Sequence, residues 1–180
     1  MKTLLFLLLS LTGLRAAETP QPGEMAPAFS LRALDGKTHS LSSETAQGPV
    51  VLVVLRGFPG YQCPLCNRQV SEFVRHGEKF AKAGARVLLV YPGPGSVVDE
   101  KAKEFTSDKA LPPHFSLLLD PDYQLTTQYN LRWDAPKETA YPSAFLVDRK
   151  GRIVFAKVSR SHGGRATAEE MLAALAKLPM

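Results

Sequence analysis

VVLVVLRGFPGYQCPLCNRQV, Val50 to Val70, is the stretch whose reading decides the fold. Its first six residues, Val50 to Leu55, are unbroken β-branched and aliphatic side chains. That pattern describes a strand buried on both faces, as in a parallel sheet. Gly57, Pro59 and Gly60 then signal a loop. Beyond Cys63-Pro64-Leu65-Cys66, the residues Val70, Phe73, Val74, Gly77 and Phe80 recur at helical spacing. The two cysteines therefore sit on a strand-to-helix turn, at or just before the first helical turn. Unpaired N–H groups and the positive end of the helix dipole favour a thiolate there. The thiolate is both the nucleophile and the form that oxidises. With two residues between the sulfurs, one can attack a partner and the other can resolve the adduct.

Two plainer readings compete with a redox site. A structural disulfide closing so small a ring contributes only about 2 kcal/mol in the chain-entropy model. With two cysteines in 180 residues, the chain is not a disulfide-stapled scaffold. A zinc site needs two further ligands, and His39, His76, His114 and His162 lack the spacing that supplies them.

The length and the 44% hydrophobic content suit one globular domain. Lys2, the apolar run Leu4 to Leu14 and Arg15-Ala16-Ala17 have the layout of a secretory signal peptide over residues 1–16, too short for a comfortable membrane span. Its removal leaves 20 Lys and Arg against 17 Asp and Glu. The remaining charge is small and forms no basic stripe, so nucleic acid is not an expected partner. No later stretch could cross a bilayer. The expected setting is secreted or periplasmic, where a cysteine pair can be held oxidised or be reduced by a partner.

Residues 17–23, with Pro20 and Pro22, read as a flexible linker before a domain over 24–180. Ala28 to Leu31 and Thr38 to Leu41 flank Asp35-Gly36 as a hairpin, with His39 a solvated strand residue. Ser42 to Pro49 reads as a polar loop. Arg86 to Tyr91 and Phe115 to Leu119 are further buried strands, and Gly84 is a helix C-cap. Ser96 and Asp99 fit a capping box for a helix through Phe105, and a brief helix carries Leu125 and Tyr129. Leu131 to Tyr141 is irregular. Ser143 to Val147 and Ile153 to Ala156 form an antiparallel pair. A glycine-rich loop, Arg160 to Arg165, leads to a capping box, Thr167 and Glu170, and a last helix. The class is α/β, a central mixed sheet flanked by helices with an N-terminal β-hairpin.

This order of elements, with Cys63-Pro64-Leu65-Cys66 after the first buried strand and Pro142 before Ser143 to Asp148, resembles the thioredoxin-like fold. Ala26-Pro27-Ala28-Phe29-Ser30-Leu31, Arg56-Gly57 and Cys63-Pro64-Leu65-Cys66-Asn67-Arg68-Gln69 narrow the resemblance. They are similar to the alkyl hydroperoxide reductase/thiol-specific antioxidant family, the peroxiredoxin-like branch, from about Gly23 to Leu178. The resemblance implies a thiol-dependent oxidoreductase cycling between a dithiol and a Cys63–Cys66 disulfide. It also implies a cis Tyr141–Pro142 bond with Pro142 packed against the cysteines.

The departures matter as much. In the family's peroxidase motif, P-x-x-x-[TS]-x-x-C, Pro59 fits, Cys63 stands at the hydroxyl position and Cys66 at the peroxidatic one. Pro142 replaces the family's late-strand arginine, and Gln62 replaces a usual aromatic. Arg56 can supply the positive charge instead, or be a solvated or salt-bridged loop residue. Two sulfur orders stay open. In thiol–disulfide exchange with a protein partner, the reading preferred from these residues, Cys63 attacks and Cys66 resolves. In hydroperoxide reduction, Cys66 becomes the sulfenic acid and Cys63 resolves. A thiol-containing redox protein is the expected electron donor, and a disulfide protein or a hydroperoxide the substrate. No nucleotide, flavin or haem motif is visible, and no cofactor is expected. A copper chaperone of the Sco type shares fold and setting, but uses C-x-x-x-C with a histidine before the late strand, and none lies between His114 and His162.

Overall fold

In the computed structural model, which describes residues 18–179, strand β3 (Val50–Val54) is the middle of a five-stranded sheet and is buried along its whole length. The leader read over residues 1–16 and its cleavage site lie outside the described residues. β4 (Arg86–Gly93) runs parallel to β3, and β5 (Phe115–Pro121) parallel to β4. On the other side β6 (Ser143–Val147) is antiparallel to β3, and β7 (Ile153–Val158) antiparallel to β6. The order is β5-β4-β3-β6-β7. A separate hairpin pairs β1 (Ser30–Arg32) with β2 (Thr38–Ser40).

The period-2 geometry of β3 explains its composition, because successive side chains enter different cores. Val51, Val53 and Leu55 join Val87, Leu89 and Leu146 on the face covered by α2 (Pro64–Arg75), α3 (Gly77–Lys82), α4 (Val98–Thr106) and α6 (Ala168–Leu175). Val50, Leu52 and Val54 join Leu88, Val90 and Phe145 on the opposite face. There Phe29 and Leu31 of the hairpin region, Leu41 of α1 (Leu41–Gln47) and Leu125 of α5 (Gln124–Gln128) complete the packing. Phe73 of α2 is fully buried and stacks on Phe80 of α3, centroids 5.5 Å apart.

Several expectations change. Ser42 to Pro49 is not a loop: Ser40 and Ser43 cap α1 reciprocally. His39 is buried rather than solvated, because its Nδ1 meets a Glu44 carboxylate oxygen at 2.8 Å, and Glu44 in turn accepts from Arg86 Nε. The helix after the cysteines breaks at His76, whose Nδ1 lies 3.0 Å from the Glu72 carbonyl, so Gly77 opens a second helix. α4 starts after Val97 without a side-chain cap, since Asp99 is engaged by Arg32 at 2.5 Å. Residues 18–23 lie against the domain rather than apart from it: Gly23 N–H donates to the Ile153 carbonyl and Thr19 is buried.

The Tyr141–Pro142 bond is trans, against expectation, as is every peptide bond among the described residues. Tyr141 N–H donates to the Leu131 carbonyl, and the Pro142 carbonyl accepts Ser159 N–H, so both flanks are held in extended strand geometry. Trans is also the cheaper X–Pro isomer, by about 0.5–1 kcal/mol.

Because α2 rests on the sheet through Phe73, Phe73→Ala is expected to destabilise the protein by about 3–5 kcal/mol in urea unfolding. A loss below about 1 kcal/mol would contradict this packing.

Candidate functional site

Leu55 N–H continues the β3 ladder to the Val90 carbonyl, and the chain then turns at Gly57. Gly57 has φ +69°, and a Cβ there would run into the Pro92 carbonyl, so glycine is required. The turn delivers Cys63 to the N-cap of α2, with Pro64 in the first turn, where its missing N–H costs nothing. Cys63 is extended (φ −74°, ψ 112°), and its Sγ accepts Cys66 N–H at 3.4 Å. Both cysteines are free thiols, 2% and 0% exposed.

One guanidinium spans the pair. Arg165 Nη1 donates to Cys66 Sγ at 3.2 Å and to Gln69 Oε1 at 3.2 Å, while Nη2 reaches Cys63 Sγ at 3.6 Å. Gln69 is itself oriented by donating to the Ala166 carbonyl at 3.0 Å. These contacts separate the two thiols. Cys63 is drawn down to about 5, first by its hydrogen bond with the Cys66 thiol, then by Cys66 N–H and the Arg165 charge, against the cost of burial. Cys66 goes the other way: burial, and then its bond to Cys63, push its thiol up despite Arg165. The two thiols are thus pushed in opposite directions, Cys63 toward the thiolate and Cys66 toward the neutral thiol.

Arg56 does not supply that charge. It is buried, with Nε on Glu138 at 2.6 Å, Nη1 on the Tyr61 hydroxyl at 2.5 Å and Nη2 on the Lys137 carbonyl at 2.7 Å. Of the two roles open to it, the salt-bridged one is observed. Burial raises the Glu138 carboxyl, but hydrogen bonds from Arg56 and His162 outweigh it and hold the group below its ordinary value. Pro142 opens β6 at the same sheet end as the cysteines, and its carbonyl holds Ser159, where the Arg165 loop begins. Gln62 accepts from the Tyr91 hydroxyl at 2.8 Å and donates to the Lys101 carbonyl at 2.9 Å, tying the active loop to the sheet and to α4.

Arg165 is the residue that sequence reasoning missed. It closes a glycine-rich loop just before a capping box, a setting that only resembles a connection. The available signal was a cation at the end of that loop, in a fold whose usual late-strand arginine is absent. Among the described residues no group of three or more His, Cys, Asp and Glu side chains is placed to hold a metal ion. The guanidinium on both sulfurs also opposes a cation there.

The AhpC/TSA family model matches residues 22–156. Peroxiredoxin Q, chloroplastic, of Populus jackii is 31% identical over 131 residues, covering 73% of this chain and 57% of its own. A Mycobacterium tuberculosis protein described as a peroxiredoxin is 29% identical over 141 residues, 76% of this chain and 83% of its own. Among solved structures, peroxidoxin BcpB from Mycobacterium tuberculosis superposes with TM-score 0.69 at 20% identity. It covers 89% of this chain and 99% of its own, a likeness of fold.

The Cys63 shift has a consequence for stability. Its folded value, about 5, lies below the ordinary 9.0 of an unfolded thiol. The stabilisation is therefore complete above the unfolded value and is lost as pH falls through the folded one. Urea unfolding of the reduced protein between about pH 8 and pH 5 should show a loss of stability on acidification that Cys63→Ser removes. An unchanged pH slope in Cys63→Ser would contradict the assignment.

Proposed function

Because the chain belongs to the AhpC/TSA family and is a thiol-dependent oxidoreductase of the peroxiredoxin type, we propose that it reduces hydroperoxides through Cys63 and Cys66. The observation that carries this reading is the burial of both sulfurs beneath one guanidinium. Thiol–disulfide exchange requires the attacking sulfur to approach a partner's S–S bond, which an almost buried pair resists. A hydroperoxide presents only an O–O bond and can enter where a folded partner cannot.

In the proposed cycle the Cys63 thiolate attacks the terminal peroxide oxygen. The S–O bond forms, the O–O bond breaks, and the alkoxide takes a proton from solvent and leaves as alcohol, or as water from hydrogen peroxide. Cys63 is oxidised to the sulfenic acid. Arg165 N–H groups lie where they can stabilise charge on the departing oxygen. The Cys66 thiol then displaces water from the sulfenic sulfur, giving the Cys63–Cys66 disulfide. A dithiol protein reduces that disulfide and leaves oxidised, which requires the oxidised form to expose sulfurs that the reduced form buries. This order reverses the one implied by the motif positions, because burial pushes the Cys66 thiol up while the Cys66 hydrogen bonds at the helix start and Arg165 draw Cys63 down.

Exchange with a protein disulfide is the second reading, favoured by the low-lying Cys63 thiolate at a helix N-cap. The proposed leader over residues 1–16 would put either chemistry outside the cytoplasm, with a delivered thiol protein as donor.

Stopped-flow mixing of the reduced mature protein with hydrogen peroxide, and with an alkyl hydroperoxide, tests the reading. Thiol loss should be orders of magnitude faster than for an ordinary thiol, which is mostly protonated at neutral pH. In Cys66→Ser a sulfenic acid should be trapped on Cys63, and neither single Ser variant should turn over. Slow peroxide oxidation together with rapid reduction of a protein disulfide would transfer the case to exchange. Fast trapping on Cys66 in Cys63→Ser would reverse the sulfur order.

A further inference from the structure

The segment carrying Arg165 is tied firmly at its two ends. Ser159 N–H donates to the Pro142 carbonyl at 2.9 Å. At the far end, the Ala166 carbonyl accepts from Gln69, and Ala168 N–H donates to Glu72 of α2 at 2.8 Å. Between these ties lie Gly163 and Gly164, the latter at φ +67°. Within the loop the Ser159 hydroxyl donates to the Ser161 and Gly163 carbonyls, whereas Gly164, next to Arg165, stays conformationally free unless something outside the loop holds that end.

His162 supplies the outside contact. Its Nε2 lies 2.8 Å from Glu138 Oε1, and its ring packs on Trp133, centroids 5.1 Å apart. Its own carbonyl accepts Arg165 Nε–H at 2.9 Å. Glu138 is a fixed anchor, since its other oxygen accepts from buried Arg56 at 2.6 Å. A second contact runs alongside: Arg160 lies over the Tyr141 ring at 4.7 Å, and that ring stacks on Trp133.

We propose that His162 is a positioning residue: by clamping the loop to Glu138 and Trp133, and by accepting from Arg165 Nε, it aims the Arg165 guanidinium at the two sulfurs. His162 touches neither sulfur. It acts by removing the freedom that Gly164 confers, so that the fork of Arg165 meets both acceptors at once. The irregular segment from Leu131 to Tyr141 thereby acquires a function, as the platform against which the loop is set. The inference rests on the dithiol reading of the site, but not on hydroperoxide being the substrate.

The test follows ionisation of Cys63 by the pH dependence of its iodoacetamide alkylation in the reduced full-length protein. The modified peptide is identified by mass spectrometry, so no peroxide is involved. Arg165→Ala sets the reference, an upward displacement of the profile. His162→Ala should move the profile upward by about half a pH unit or more. His162→Gln, whose amide can still donate to Glu138, should restore much of it. The double variant His162→Ala/Arg165→Ala should match Arg165→Ala alone, because the effect passes through Arg165. A merely structural role would lower unfolding stability without moving the alkylation profile. An unmoved profile in His162→Ala, or additive shifts in the double variant, would overturn the proposal. If peroxide reacts slowly while these shifts appear, the substrate reading fails and the clamp stands.

Discussion

The contact between one guanidinium and two buried sulfurs sets the requirements that the rest of the site meets. A thiolate with almost no exposure loses the hydration that would stabilise it in water. Its charge survives only if nearby donors replace that hydration, and here the replacement comes from Cys66 N–H, the Cys66 thiol and Arg165. The arrangement is asymmetric because the helix start is asymmetric. Cys63 stands at the N-cap and receives the backbone donor, whereas Cys66 is one turn in, sealed in the core, and receives chiefly the guanidinium. Position along one helical turn thus shifts two chemically identical thiols in opposite directions, Cys63 down and Cys66 up.

Holding that contact engages most of the fold. The sheet supplies a floor through Tyr91 and the end of β3, and α2 supplies the N-cap. Loops from two distant parts of the chain converge at the same sheet end. Arg56 and Arg165 have separate tasks. Arg56 is committed to Glu138 and Tyr61, so it braces the walls, and Arg165 alone faces the sulfurs. Their common link is Glu138, which meets Arg56 directly and the Arg165 loop through His162.

Much of this was legible in the sequence wherever one local signal sufficed. The apolar run Val50 to Leu55 could only be a strand buried on both faces. The spacing of Val70 and Phe73 declared the face of α2, and Thr167 with Glu170 marked the start of α6. What failed depended on side-chain contacts that local patterning does not carry, most of them across long sequence separations. His39 looked solvated because alternation in a short hairpin does not reveal Glu44 beneath it. Asp99 looked like a cap because spacing does not reveal Arg32. Arg56 looked eligible for the sulfurs by proximity along the chain, yet Glu138, 82 residues away, takes its Nε–H. Arg165 was invisible for the same reason, at 99 residues from Cys66.

The central claim is that, within this buried pair, Cys63 carries the charge. Labelling both cysteine β-carbons with 13C and titrating the reduced protein by NMR measures each thiol separately. The account predicts that the Cys63 resonance moves near pH 5, while that of Cys66 stays in its thiol position until alkaline pH. A Cys66 resonance that titrates first, or two resonances that titrate together near the ordinary thiol value, would contradict it.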